Sequence, residues 1–90
     1  MDIQKGDIVI SQAGRDKGRL FFVIDVIDQQ FAVLADGKLR KLDKPKKKKL
    51  KHIKFVSKEL CKVRDKILNG EKIENAELRK ALRLFENPLS

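Results

Sequence analysis

Tryptophan and tyrosine are absent from this 90-residue chain, and cysteine, histidine and methionine occur once each. Each shortage closes off a chemistry. A lone Cys61 excludes an internal disulfide and fits a reducing compartment. One cysteine and one histidine (His52) cannot close a structural zinc site, which takes four such ligands. His52 lies inside a lysine run, and no third residue is marked to orient it against Cys61. The chain therefore reads as non-enzymatic, with no catalytic residue, no metal and no cofactor. Without Trp or Tyr, aromatic surface could come only from Phe21, Phe22, Phe31, Phe55 and Phe85, whose apolar settings read as core. A base-stacking platform is not expected. The longest apolar run, Leu20 to Ile24, is far short of a membrane span. The opening Met-Asp-Ile-Gln-Lys-Gly-Asp has no apolar signal region. These shortages predict a small soluble cytoplasmic protein with no membrane partner.

Positive charge is what the chain has in excess. It carries 22 Lys and Arg against 13 Asp and Glu, a formal net charge of +9. Residues 38–66 alone hold 14 basic and three acidic residues, so this segment is more positive than the whole chain. Its centre reads Lys44-Pro45-Lys46-Lys47-Lys48-Lys49-Leu50-Lys51-His52. A localised block of this kind attracts polyanions, nucleic acid first among them. The bland alternative is a solvated lysine-rich loop that serves solubility.

Hydrophobic periodicity divides the chain in two. The first half reads as short strands over Asp7–Ala13, Arg19–Ile27 and Phe31–Ala35, the second apolar on both alternating sets and so covered on both faces. Asp28-Gln29-Gln30 is a polar break. Asp36-Gly37 predicts a primed two-residue hairpin, with Lys38–Leu42 pairing back as a strand that Pro45 ends. The lysine run then forms a loop over 44–52, and Ile53–Val56 a short closing strand. The second half has helical period. Ser57 is a candidate N-cap for a helix over Lys58–Leu68, stopped by Asn69-Gly70. Leu60, Val63 and Ile67 make its apolar stripe, widened by Cys61 and Leu68. Arg64 falls inside that stripe, either with its stem on apolar surface and its head in water or held toward a phosphate. A second helix, capped by Asn75, runs Ala76–Phe85 to a stop at Asn87-Pro88, with Leu78, Ala81, Leu82 and Phe85 on one face. Asp25 interrupts an apolar strand and reads as a solvent-end carboxylate, or one satisfied by a backbone or arginine donor. The fold class is mainly β with α: a five-stranded antiparallel barrel over 1–56, SH3-like or OB-like, then a helical extension over 57–90 packed on it, one domain in all.

The stretch Gly6-Asp7-Ile8-Val9-Ile10-Ser11-Gln12-Ala13-Gly14-Arg15-Asp16-Lys17-Gly18-Arg19-Leu20-Phe21-Phe22-Val23-Ile24 resembles the KOW motif. That motif belongs to SH3-like barrels of ribosomal proteins and transcription elongation factors. Its logic here is physical. Gly14 and Gly18 bracket a tight loop whose missing Cβ atoms allow close backbone approach to a ligand, and Arg15, Lys17 and Arg19 surround it with charge. Val23-Ile24-Asp25-Val26-Ile27-Asp28, Ala35-Asp36-Gly37 and Asn75-Ala76-Glu77-Leu78-Arg79-Lys80-Ala81-Leu82 extend the likeness. Together with the Lys44–His52 block they are similar to the large-subunit ribosomal protein fourteen-e family and its small bacterial RNA-binding relatives. The resemblance implies binding to structured RNA, ribosomal RNA or a ribosome-associated complex, as a monomer, with ribosomal proteins as possible neighbours. Charge, loop and resemblance together place the RNA-binding set at Gly14, Arg15, Lys17, Gly18, Arg19, Lys38, Arg40, Lys46, Lys47, Lys48, Lys49, Lys51 and His52. The rival reading is a protein-interaction adaptor docking on a ribosomal or transcription-complex subunit. Duplex DNA ranks last, because no recognition helix with base-reading side chains is visible.

Overall fold

A computed structural model describes residues 2–86 of the chain. Five strands form one antiparallel sheet: β1 (Ile8–Ser11), β2 (Leu20–Ile27), β3 (Phe31–Ala35), β4 (Lys46–Lys49) and β5 (Ile53–Ser57). Their order across the sheet is β4-β3-β2-β1-β5. Two helices follow, α1 (Lys62–Asn69) and α2 (Asn75–Glu86). The expected closed barrel does not form, because no ladder joins the edge strands β4 and β5. A single 3-10 turn at Leu50–His52 connects them.

The double apolar periodicity of β2 explains the layering. Phe22 shares one cluster with Ile8 and Ala35 of the sheet and with Val63, Ile67, Leu78 and Leu82 of the helices. Phe21 and Val23 point the other way, into a second cluster with Val9, Ala32, Leu34 and Ile53. Both faces of the strand are covered, as its sequence requires. Burying one such phenylalanine contributes on the order of 1.5–3 kcal/mol. The sheet register shifts at Ile24, between the pairs Val23↔Leu34 and Asp25↔Val33. That bulge turns Asp25 outward, where its carboxylate accepts from the backbone N–H of Val26 at 2.8 Å.

The lysine run is a strand. Lys46–Lys49 pairs with Phe31–Leu34 along the open edge of β3, where a row of lysines blocks further strand addition. The Lys47 ammonium lies over Phe31, its Nζ 4.6 Å from the ring centroid. The expected strand at Lys38–Leu42 is absent. The Asp36 carboxylate accepts from the N–H groups of Lys38 and Arg40, both at 2.9 Å, and curls this segment into a local loop. The primed hairpin turn sits instead at Asp28 and Gln29, both with positive φ.

Helix α1 begins later than expected. Ser57 ends β5, and Leu60, placed in the apolar stripe by its spacing, is 87% exposed. Cys61 occupies the N-cap position, half-buried against the core. Gly70 closes the helix in the left-handed conformation, as expected. Asn75 opens α2 but does not cap it, since its Oδ1 accepts from the N–H of Leu42 at 2.8 Å. The Glu77 carboxylate takes the N–H of Glu74 instead, half of a capping box. Glu77 also accepts from Lys66 at 2.7 Å, a bond between the helices that raises the lysine pKa and lowers the carboxyl pKa. The expected stop at Asn87-Pro88 lies outside the described residues. Helices of eight and twelve residues depend on docking for their stability, and their shared cluster with the sheet supplies it.

Candidate nucleic-acid interface

The loop between β1 and β2 is built by its two glycines. Gly14 and Gly18 have φ of 78° and 87°, a region costly for side chains with a Cβ. Within the loop, Lys17 N–H donates to the Gly14 carbonyl and Arg19 N–H to that of Asp16. Arg15 and Lys17 project from it, exposed, while Asp16 turns inward and is buried.

Two reciprocal ion pairs lock this loop to the 36–40 loop. Arg40 Nη2 lies 3.0 Å from Asp16 Oδ2, and Arg19 Nη2 lies 3.2 Å from Asp36 Oδ2. Each loop contributes one arginine and one buried carboxylate. Burial opposes ionisation of Asp36, yet the N–H groups of Arg40 and Lys38 and the Arg19 guanidinium outweigh it and hold its carboxyl below the usual value. Arg19 and Arg40, both in the predicted RNA-binding set, thus each commit one terminal nitrogen, Nη2, to holding the two loops. Each retains a buried Nε–H without a partner.

The strand period splits the lysine run. Lys46 and Lys48 pair opposite the buried Leu34 and Ala32 and share their face; Lys47 and Lys49 lie on the other. Lys48 reaches across the sheet to Ser11 Oγ at 2.7 Å and Ala13 O at 2.6 Å. A shallow cleft of about 290 Å³ results, lined by Gly14, Arg15, Arg40, Lys46, Lys48 and His52 together with Ala13 and Asp16. Six of the thirteen predicted residues therefore meet around one concavity. Gly18, Arg19 and Lys38 line a neighbouring groove beside α2. Lys51 faces a third cleft with Ile3, Val26, Leu50 and Phe55.

Arg64 answers neither reading made of it. Its Nη1 donates to Asp7 Oδ1 at 3.1 Å, with only 11% of the side chain exposed against 0% for Asp7, and Lys58 Nζ approaches the same oxygen at 3.2 Å. Sequence reasoning also missed Ser11 and the Ala13 carbonyl as the seat of Lys48, and Asp16 and Asp36 as the clamps. Only the Asp36-Gly37 turn signal pointed there. Among the described residues, no three His, Cys, Asp or Glu side chains gather as a metal site. No described helix is long and apolar enough to cross a membrane. No family model matches the chain, and no curated protein matches it.

Proposed function

We propose that the chain is an RNA-binding protein of SH3-like, KOW type acting on structured RNA, with ribosomal RNA or a ribosome-associated complex the class its sequence blocks resemble. The observation that carries this is the meeting of Gly14, Arg15, Lys46, Lys48 and His52 around one cleft. A small antiparallel sheet whose edge strands are joined by one 3-10 turn is in keeping with an SH3-like barrel left open at a seam. On this reading the loop backbone at Gly14 approaches a phosphate, Arg15, Lys17 and Lys46 neutralise its neighbours, and the crossed ion pairs keep the loop in shape before RNA arrives. The protein acts as a monomer in the cytoplasm, with no catalysis and no cofactor.

The test is a salt titration of RNA affinity. Neutralising about six phosphates gives a log–log slope of about −4 to −5. Affinity indifferent to salt would sink the reading. Replacing Arg15 should weaken cognate RNA more than random RNA, whereas Lys47→Gln should weaken both alike.

The adaptor reading has its own support in exposed Leu39 and Leu60 and in the apolar cleft at Ile3, Val26 and Phe55. A complex that survives RNase in a pull-down favours it; a complex lost to RNase favours RNA.

A further inference from the structure

The Gly14–Gly18 loop has a second basic wall on its far side. A groove of about 860 Å³ separates Gly18, Arg19 and Lys38 from α2, which contributes Arg79, Lys80 and Arg83. Glu86 is the one exposed acid in its lining. Lys38, Lys80 and Arg83 are exposed and have no carboxylate within ion-pair distance among the described residues. The walls are tied together, since Arg79 Nη1 donates to the Gly37 carbonyl at 2.6 Å. At Gly18 the backbone is open, with nothing within 4 Å of where a Cβ would stand. One glycine loop is thus flanked by two positive concavities, each holding one of the clamped arginines.

Two concavities on either side of a projecting loop suit a ligand with two anionic edges. Single-stranded RNA offers one backbone and free base faces, and aromatic side chains are what hold those faces. This chain has no Tyr or Trp; Phe21 and Phe22 are buried, and Phe31, Phe55 and Phe85 are half-covered. Helical RNA offers two backbones across a wide, shallow minor groove, read by shape and phosphate contact. Resting on the RNA-binding reading above, we propose that the groove beside α2 is a second phosphodiester site. The ligand is double-helical RNA, with the Gly14–Gly18 loop entering between its two backbones.

The experiment compares the full chain with the K80Q/R83Q variant on two probes, a mixed-sequence RNA duplex and an unstructured oligouridine of equal length. Both substitutions are on exposed side chains, and an unchanged thermal midpoint confirms folding. Duplex affinity should fall at least about tenfold, with a salt slope shallower by about 2, since each lost phosphate contact removes about 0.9. Oligouridine affinity should change by less than about twofold, because that ligand fills only the first cleft. A wild-type duplex affinity and slope in the variant would leave α2 as a solvated basic face and overturn the second site, while duplex binding by the wild type keeps the RNA reading intact. Equal losses on both probes would overturn the duplex assignment. No salt-dependent binding of either RNA by the wild type removes the RNA reading and this inference with it.

Discussion

Lys48 lays its ammonium 2.7 Å from Ser11 Oγ, joining the edge strand β4 to β1 across the unclosed side of the sheet. The same group holds the Ala13 carbonyl and would stand 3.5 Å from a Cβ on Gly14. A residue that reads as one anonymous charge among four is therefore the anchor of the glycine loop. Lys48→Met should cost about 1–2 kcal/mol in a denaturant titration, the loss of charge-assisted hydrogen bonds at a part-buried site. Lys47→Gln removes only a cation–π contact at the surface and should cost about 0.5 kcal/mol. Equal effects of the two substitutions would show that Lys48 is not a tether.

Arg64 and Asp7 form the deepest ion pair in the molecule's described part, with Lys58 as a third member. Gly6, at φ 86°, lies against the Arg64 stem, where a Cβ would come within 3.0 Å of Cγ. Arg64→Met leaves the buried Asp7 carboxylate with the half-exposed Lys58 and the backbone N–H of Gln4 as its remaining donors. We expect a loss of about 3 kcal/mol, the usual scale for breaking a buried pair from one side. On the proposed RNA-binding reading, affinity measured well below the melting range should stay within about twofold of wild type, since that reading gives Arg64 no phosphate contact. A large affinity loss in a folded variant would return Arg64 to the ligand.

Much of this architecture is legible in the residues, and the failures share a cause. β2 is readable because Phe21, Phe22, Val23 and Ile24 leave no polar face, and α2 because Leu78 and Leu82 recur at helical spacing. β4 is not, because lysine has weak strand preference and the run follows Pro45; the open edge of β3 and the ring of Phe31 supply what local propensity lacks. The glycine loop announces itself through Gly14 and Gly18. Its clamps do not, because Arg40 lies 24 residues from Asp16 and no local rule pairs them.

Glycine at two loop positions separates fit from conformation. Gly37 has φ 77°, and a Cβ there would run into the Asn75 carbonyl oxygen at the start of α2. Gly18 has a similar φ of 87° with open space around it. Gly18→Ala should cost about 1–2 kcal/mol, the conformational penalty alone. Gly37→Ala adds a backbone collision to the same penalty of about 1–2 kcal/mol and should be the more damaging of the two by thermal melting. The opposite ranking would mean that the 36–40 loop can lift from α2 at little cost.

Asp36 makes the stability of the loop pair depend on acid. Its carboxyl titrates below the ordinary value because the Lys38 and Arg40 N–H groups and the Arg19 guanidinium favour the anion more than burial disfavours it. In the unfolded chain the same carboxyl titrates at about pH 3.9. Above that value the depressed pKa contributes its full stabilisation. As pH falls below it, the unfolded chain binds a proton that the folded chain resists, and the contribution is lost as pH passes through the folded pKa. Denaturant titrations from neutral pH down through pH 3 should therefore show falling stability, with a shallower decline in Asp36→Asn than in wild type. The variant should also be less stable at neutral pH, by about 1–3 kcal/mol for a weakened buried acceptor facing Arg19. Parallel pH profiles for the two proteins would remove Asp36 as the acid-sensitive clamp.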